Sequence, residues 1–112
     1  MTTDETEETG ETDRRDRQGR LIAPLTASTD LYALRRAGEL LDAQPGTQAK
    51  DRFTSAEIRF WDYQVRGVAV SLQWERDVGL SLLAGDASPE VERRVRELAA
   101  TLRAGLAASQ IG

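Results

Sequence analysis

Cysteine and histidine are both absent from this sequence, and each absence removes a body of chemistry. Without cysteine there is no disulfide and no thiolate metal site, which suits a reducing compartment, so a cytoplasmic location is expected. Without histidine the commonest general base and the commonest transition-metal ligand are gone. A serine or threonine nucleophile would lack that base, and the single lysine, Lys50, falls in a predicted loop. Gly67, Gly79 and Gly85 stand alone, with no GK[ST] after any of them, so no phosphate-cradling loop is present. Asp62, Glu75, Asp77 and Asp86 fall near the predicted sheet, but their spacing does not make any two converge, and no calcium-loop pattern occurs. No apolar run approaches the roughly 18 residues of a membrane span, and no signal peptide opens the chain. No enzyme activity, cofactor, metal or membrane association is therefore expected.

What is present is a short, charged chain of 112 residues with a net charge of −4, enough for one domain. The charge is unevenly placed. Residues 1–20 hold seven acids and four arginines, and the remainder holds twelve acids and eleven bases. Met1 to Arg20 has no large apolar residue after Met1, cannot offset its ordering entropy by burial, and is predicted to be a disordered charged tail. Residues 21–112 then form a single small α+β domain. A domain of that size buries only about 60–65% of its unfolded surface, so association with a second chain would add needed stability.

The stretch that organises this domain runs from Ala56 to Ala84 and reads as a three-stranded antiparallel meander. Gly67 to Glu75 alternates cleanly, with Val68, Val70, Leu72 and Trp74 on one face and Ala69, Ser71, Gln73 and Glu75 on the other. Leu80 to Ala84 is the third strand, entered through Arg76-Asp77-Val78-Gly79, which resembles a type I turn closed by a left-handed glycine. The first strand, Ala56 to Val65, has a rival reading. Thr54 and Glu57 match a helix capping box, and Ile58, Trp61, Val65, Val68 and Leu72 follow a three-four rhythm. Gly67 and the β-branched and aromatic content favour strand, with a bulge near Phe60-Trp61 allowed for.

Around the meander lie two predicted helices and an arm. The first helix starts at Ser28 or Thr29 and carries a stripe of Leu31, Leu34, Gly38 and Leu41 until Pro45-Gly46 stops it. Gly38 in mid-helix implies a close neighbour, and Thr47 to Arg52 reads as a loop. The second helix is capped by Ser88, opens at Pro89, and presents Val91, Val95, Leu98, Leu102 and Leu106. Leu21-Ile22-Ala23-Pro24-Leu25 forms an extended apolar arm that packs along the sheet edge of its own subunit or of a neighbour. The predicted fold is a two-layer α+β sandwich of helix, three strands and helix.

Two surfaces are candidates for binding. If the helices cover Val68, Val70, Leu72 and Trp74, the reverse face carries Trp61, Tyr63 and Leu83 beside small polar residues. That mixture suits a protein partner or dimer interface, with Leu21, Ile22 and Leu25 as a clasp. The other surface is an arginine face of Arg93, Arg96 and Arg103. Intrahelical pairs four residues apart, such as Glu90 with Arg94 and Glu92 with Arg96, account for most of the charge on that helix.

The helix–three-strand–helix order resembles that of class I type III secretion chaperones, which are also small and acidic with an amphipathic C-terminal helix. In element order alone it also resembles the YbaB-type nucleoid-associated proteins. The near-neutral domain and acidic tail argue against nucleic acid as the partner. The expected function is a non-catalytic protein-interaction module, an accessory, chaperone or immunity-type partner acting as a homodimer. The alternative is a nucleic-acid-associated regulator using the arginine face.

Overall fold

The computed structural model describes residues 13–111. Its elements in chain order are β1 (Arg14–Arg15), β2 (Leu21–Thr26), α1 (Leu31–Asp42), β3 (Thr47–Thr54), β4 (Ile58–Val65), β5 (Val68–Glu75), β6 (Gly79–Ala84) and α2 (Pro89–Ile111). Over the described residues the protein is α+β, with two helices and one six-stranded antiparallel sheet in the spatial order β1-β2-β6-β5-β4-β3. After β2 the chain crosses through α1 to the far edge, then winds back strand by strand until β6 lies beside β2. No helix is long and apolar enough to cross a membrane among the described residues.

The three expected strands are β4, β5 and β6, but they are half of the sheet. Thr47–Thr54, of which Thr47 to Arg52 is predicted as a loop, is the edge strand β3. Its sequence hides this because Lys50, Asp51 and Arg52 interrupt any apolar alternation. An edge strand exposed on both faces needs only its backbone ladder to β4, which a hydropathy pattern does not register. The apolar arm is also a strand, held between β1 and β6. Residues 13–20, expected to be part of a disordered tail, fold back as a hairpin. Asp16 Oδ1 accepts the amides of Gln18 and Arg20, both at 2.9 Å, and closes its turn. The remaining tail residues, 1–12, lie outside the described residues. The element order behind the resemblance to secretion chaperones and YbaB-type proteins is therefore not the observed one.

Local chemistry explains the element ends. Asp30, just beyond the expected Ser28 or Thr29, caps α1 by accepting the Tyr32 amide at 2.9 Å, while Ser28 Oγ accepts the amide of Asp30. Ser88 caps α2 through the Val91 amide, and Glu90 and Glu92 sit in its first turn, where the helix dipole favours acids. Arg66 and Gly67, with φ of 50° and 81°, form the two-residue turn joining β4 to β5. Gly79 has φ 124°, and a Cβ there would collide with the Thr26 carbonyl oxygen, so β6 can enter beside β2 only with glycine.

Both helices pack on the same face of the sheet. That face supplies Leu21, Ala23 and Leu25 from β2, Tyr63 and Val65 from β4, Val70, Leu72 and Trp74 from β5, and Leu80, Leu82 and Ala84 from β6. From the helices come Ala33, Leu34, Ala37 and Leu41, then Val95, Leu98, Ala99, Leu102 and Leu106. Trp74 Nε1 donates to Thr29 O at 3.2 Å, tying the sheet to the segment that enters α1. The hairpin of β1 and β2 is pinned to α2 by Arg15–Glu92 and Asp13–Arg96 ion pairs.

Candidate partner-binding surface

The side chains proposed for binding are placed by strand phase. Across β4 and β5 the register is regular, with Trp61 opposite Leu72, Tyr63 opposite Val70, and Val65 opposite Val68. Residues directly opposite share a face. Trp61 and Tyr63 therefore face the helices, and Tyr63 is only 2% exposed. This corrects the expectation that they line the reverse face. The bulge allowed for in this strand lies instead on its neighbour β3, between Ala49 and Arg52.

Gly38 explains why the rings turn inward. A Cβ at Gly38 would sit 2.8 Å from Trp61 Cζ3 and 3.0 Å from the Tyr63 hydroxyl, so the bare helix backbone there is the seat of both aromatics. The close neighbour implied by Gly38 is thus a pair of side chains. Arg52 also stacks on Trp61, its Cζ 3.8 Å from the ring centroid. The Tyr63 hydroxyl has no hydrogen-bond partner among the described residues. Burial chiefly pushes its pKa up, Asp42 adds to the rise, and the nearby Arg52 guanidinium opposes it.

The arm residues divide between the faces. Leu21 and Leu25 are buried in their own core, each worth roughly 1.5–3 kcal/mol there, so they are not free to serve as a clasp. Ile22 points to the reverse face, half-buried, opposite Leu83. Leu83 does lie on the reverse face, as expected, but is only 8% exposed between Ile22 and Ser71.

On helix α2, Arg93 bridges to both Glu90 and Glu97, and Arg96 pairs with Asp13 at 3.1 Å. Arg103 Nε donates to Pro24 O at 2.7 Å. These guanidiniums are engaged by carboxylates and by the β2 backbone, which does not favour a phosphate-binding role. Among the described residues no three acidic side chains converge where they could hold a metal ion.

The reverse face holds a group that sequence reasoning missed. Because Tyr63 and Val65 point inward, the alternate residues of β4, Ile58, Phe60, Asp62 and Gln64, point away from the helices. Phe53 of β3 is opposite Phe60, their ring centroids 6.4 Å apart, and Phe53 is 55% exposed. Ile58 and Phe60 are half-buried beside it. Further in, Ser71 Oγ donates to Asp62 Oδ1 at 2.6 Å, fixing that carboxylate against the sheet. At the near end, Glu57, Ile58, Glu75, Arg76, Asp77 and Val78 line a shallow depression, where Arg76 bridges to Glu57 at 3.6 Å and Val78 is 49% exposed. The signal for this patch was the strict period of two over residues 58–65, which separates Ile58 and Phe60 from Trp61 and Tyr63. The buried set is selected by Gly38, whose missing side chain makes room for the two rings.

Comparison of the chain with protein-family models, with curated proteins and with solved structures gives no significant match.

Proposed function

We propose that this protein is a non-catalytic interaction module, an accessory, chaperone or immunity-type partner that works as a homodimer. It buries partner surface on the uncovered sheet face around Phe53, Ile58 and Phe60. The observation that carries this reading is the Phe53–Phe60 pair. Two phenyl rings and an isoleucine lie together on the face opposite both helices, with one ring more than half exposed. Large apolar side chains clustered in that way mark contact surfaces, and aromatic anchors carry most of the energy where they are covered. The rim is more acidic than basic, with Glu57, Glu75 and Asp77 against Arg76. It therefore suits a partner with apolar anchors set among basic side chains.

The test is recovery of a stoichiometric partner from native lysate with tagged protein, wild type against Phe53→Asp. The exposed change should leave the circular dichroism and urea midpoint in place while the partner is lost. Tyr32→Ser, at another exposed aromatic, should retain it. Identical recovery by wild type and Phe53→Asp would overturn the assignment of this face.

A further inference from the structure

One of the two edge strands of the sheet is long, exposed and self-complementary. Strand β3 has eight residues, of which all but Thr47 are exposed, and no described element covers its outer edge. Long open edges are usually avoided because their free amides and carbonyls invite pairing.

The direction of those backbone groups follows from the ladder to β4. Gly46 O accepts the Arg66 amide, and the Ser55 amide donates to Ile58 O, so both ends of β3 are anchored in phase. Antiparallel alternation then turns the backbone groups of Gln48 and Phe53 toward β4 and those of Thr47, Ala49, Arg52 and Thr54 outward. The bulge at Lys50-Asp51 shifts the phase by one residue midway. The four outward residues are consequently symmetric about the midpoint between Lys50 and Asp51.

The geometry points to a second copy of this chain pairing antiparallel along β3, with its two-fold axis at that midpoint. This rests on the homodimer in the proposed function and specifies how it forms. In this register Thr47 faces Thr54 of the second copy and Ala49 faces Arg52 of the second copy, so every outward group meets an outward group. Lys50 and Asp51, whose side chains make no ion pair or side-chain hydrogen bond among the described residues, each face the opposite charge across the axis. A slip of one residue sets Lys50 against Lys50, or Asp51 against Asp51, and turns outward groups against inward ones. A slip of two keeps only half of the backbone pairs. A lysine and a bulge normally protect an edge from strangers. The adjacent aspartate makes this edge open to its own copy in one register. The two sheets become continuous, and the two Phe53–Phe60 patches come to lie on one surface.

The experiment is mass by light scattering on the full chain across a dilution series, with circular dichroism to verify folding. Wild type should be a dimer of the 12.4 kDa chain. Lys50→Asp and Asp51→Lys should each replace two attractive cross-strand pairs by repulsive ones and weaken the dimer roughly tenfold or more. The double exchange Lys50→Asp/Asp51→Lys restores opposite charges and should recover the wild-type dimer. A wild-type dimer indifferent to both single changes would overturn edge pairing while leaving the homodimer standing. Single changes that weaken the dimer without rescue by the double exchange would overturn this register. A monomeric wild type at all concentrations would overturn the homodimer itself.

Discussion

Replacing Gly38 by alanine sets two effects of opposite sign against each other. Alanine is the better helix former by about 1 kcal/mol in a helix interior, so an open site would gain stability. Gly38 is not open. The new methyl would lie 2.8 Å and 3.1 Å from two carbons of Trp61 and 3.0 Å from the Tyr63 hydroxyl, whereas non-bonded carbons settle at about 3.5–4.0 Å. Relief needs both rings to move. Tyr63 is 2% exposed within the core, and Trp61 has the Arg52 guanidinium stacked against it. Forcing an extra methyl into a packed site costs about 1–3 kcal/mol, and rigid rings on two strand positions place this site in the upper part of that range. The net expectation is a loss of about 1–2 kcal/mol, read as a lower urea midpoint by tryptophan fluorescence. In a Trp61→Leu background the methyl meets a flexible side chain, and Gly38→Ala should there be neutral or stabilising. The two changes should thus be coupled by roughly 2 kcal/mol, within the range seen for touching residues. A Gly38→Ala protein as stable as wild type would refute the claim that the helix backbone seats the two rings.

Asp30→Ala removes the acceptor for the Tyr32 amide and should cost about 1 kcal/mol, a fall of about 5 °C in Tm for a domain of this size; an unchanged melt would mean that another residue caps α1. The Glu92 carboxyl is held below its ordinary value of 4.5, chiefly by the hydrogen bond from Arg15, with burial opposing and the charges of Arg15 and Arg96 assisting. A depressed carboxyl contributes stability that is complete above its unfolded pKa and lost as pH falls through the folded one. Urea midpoints measured downward from about pH 5 should therefore fall less steeply for Glu92→Gln than for wild type, and parallel profiles would show that the latch between β1 and α2 does not contribute.

The segments legible in the sequence are those whose pattern is generated locally. Val68, Val70, Leu72 and Trp74 alternate because one side of β5 is buried, and the helix α2 begins at the expected Pro89 because Ser88, Pro89 and Glu90 carry its start within four residues. Helix α1 was found from its stripe, but its start moved to Asp30, since Ser28, Thr29 and Asp30 are all capable caps and only the chain path selects among them. The edge strand β3 left no apolar pattern because almost nothing of it is buried. The candidate surface was partly legible: Leu83 is on the expected face, whereas Trp61 and Tyr63 are on the other.

The sequence by itself determined the α+β class, three of the strand segments and both helices, because hydrophobic period and capping chemistry act over a few neighbouring residues. It also set what chemistry is unsupplied, since residues that are absent can do nothing in any fold. Only the tertiary structure decided the size of the sheet, its two edges, and which face of β4 looks inward. Both faces of residues 58–65 are amphipathic, with Ile58 and Phe60 nearly as apolar as Trp61 and Tyr63. The choice between them is made by a gap in α1 at Gly38, twenty or more residues away in the chain, and a contact that distant leaves no periodic trace in either segment.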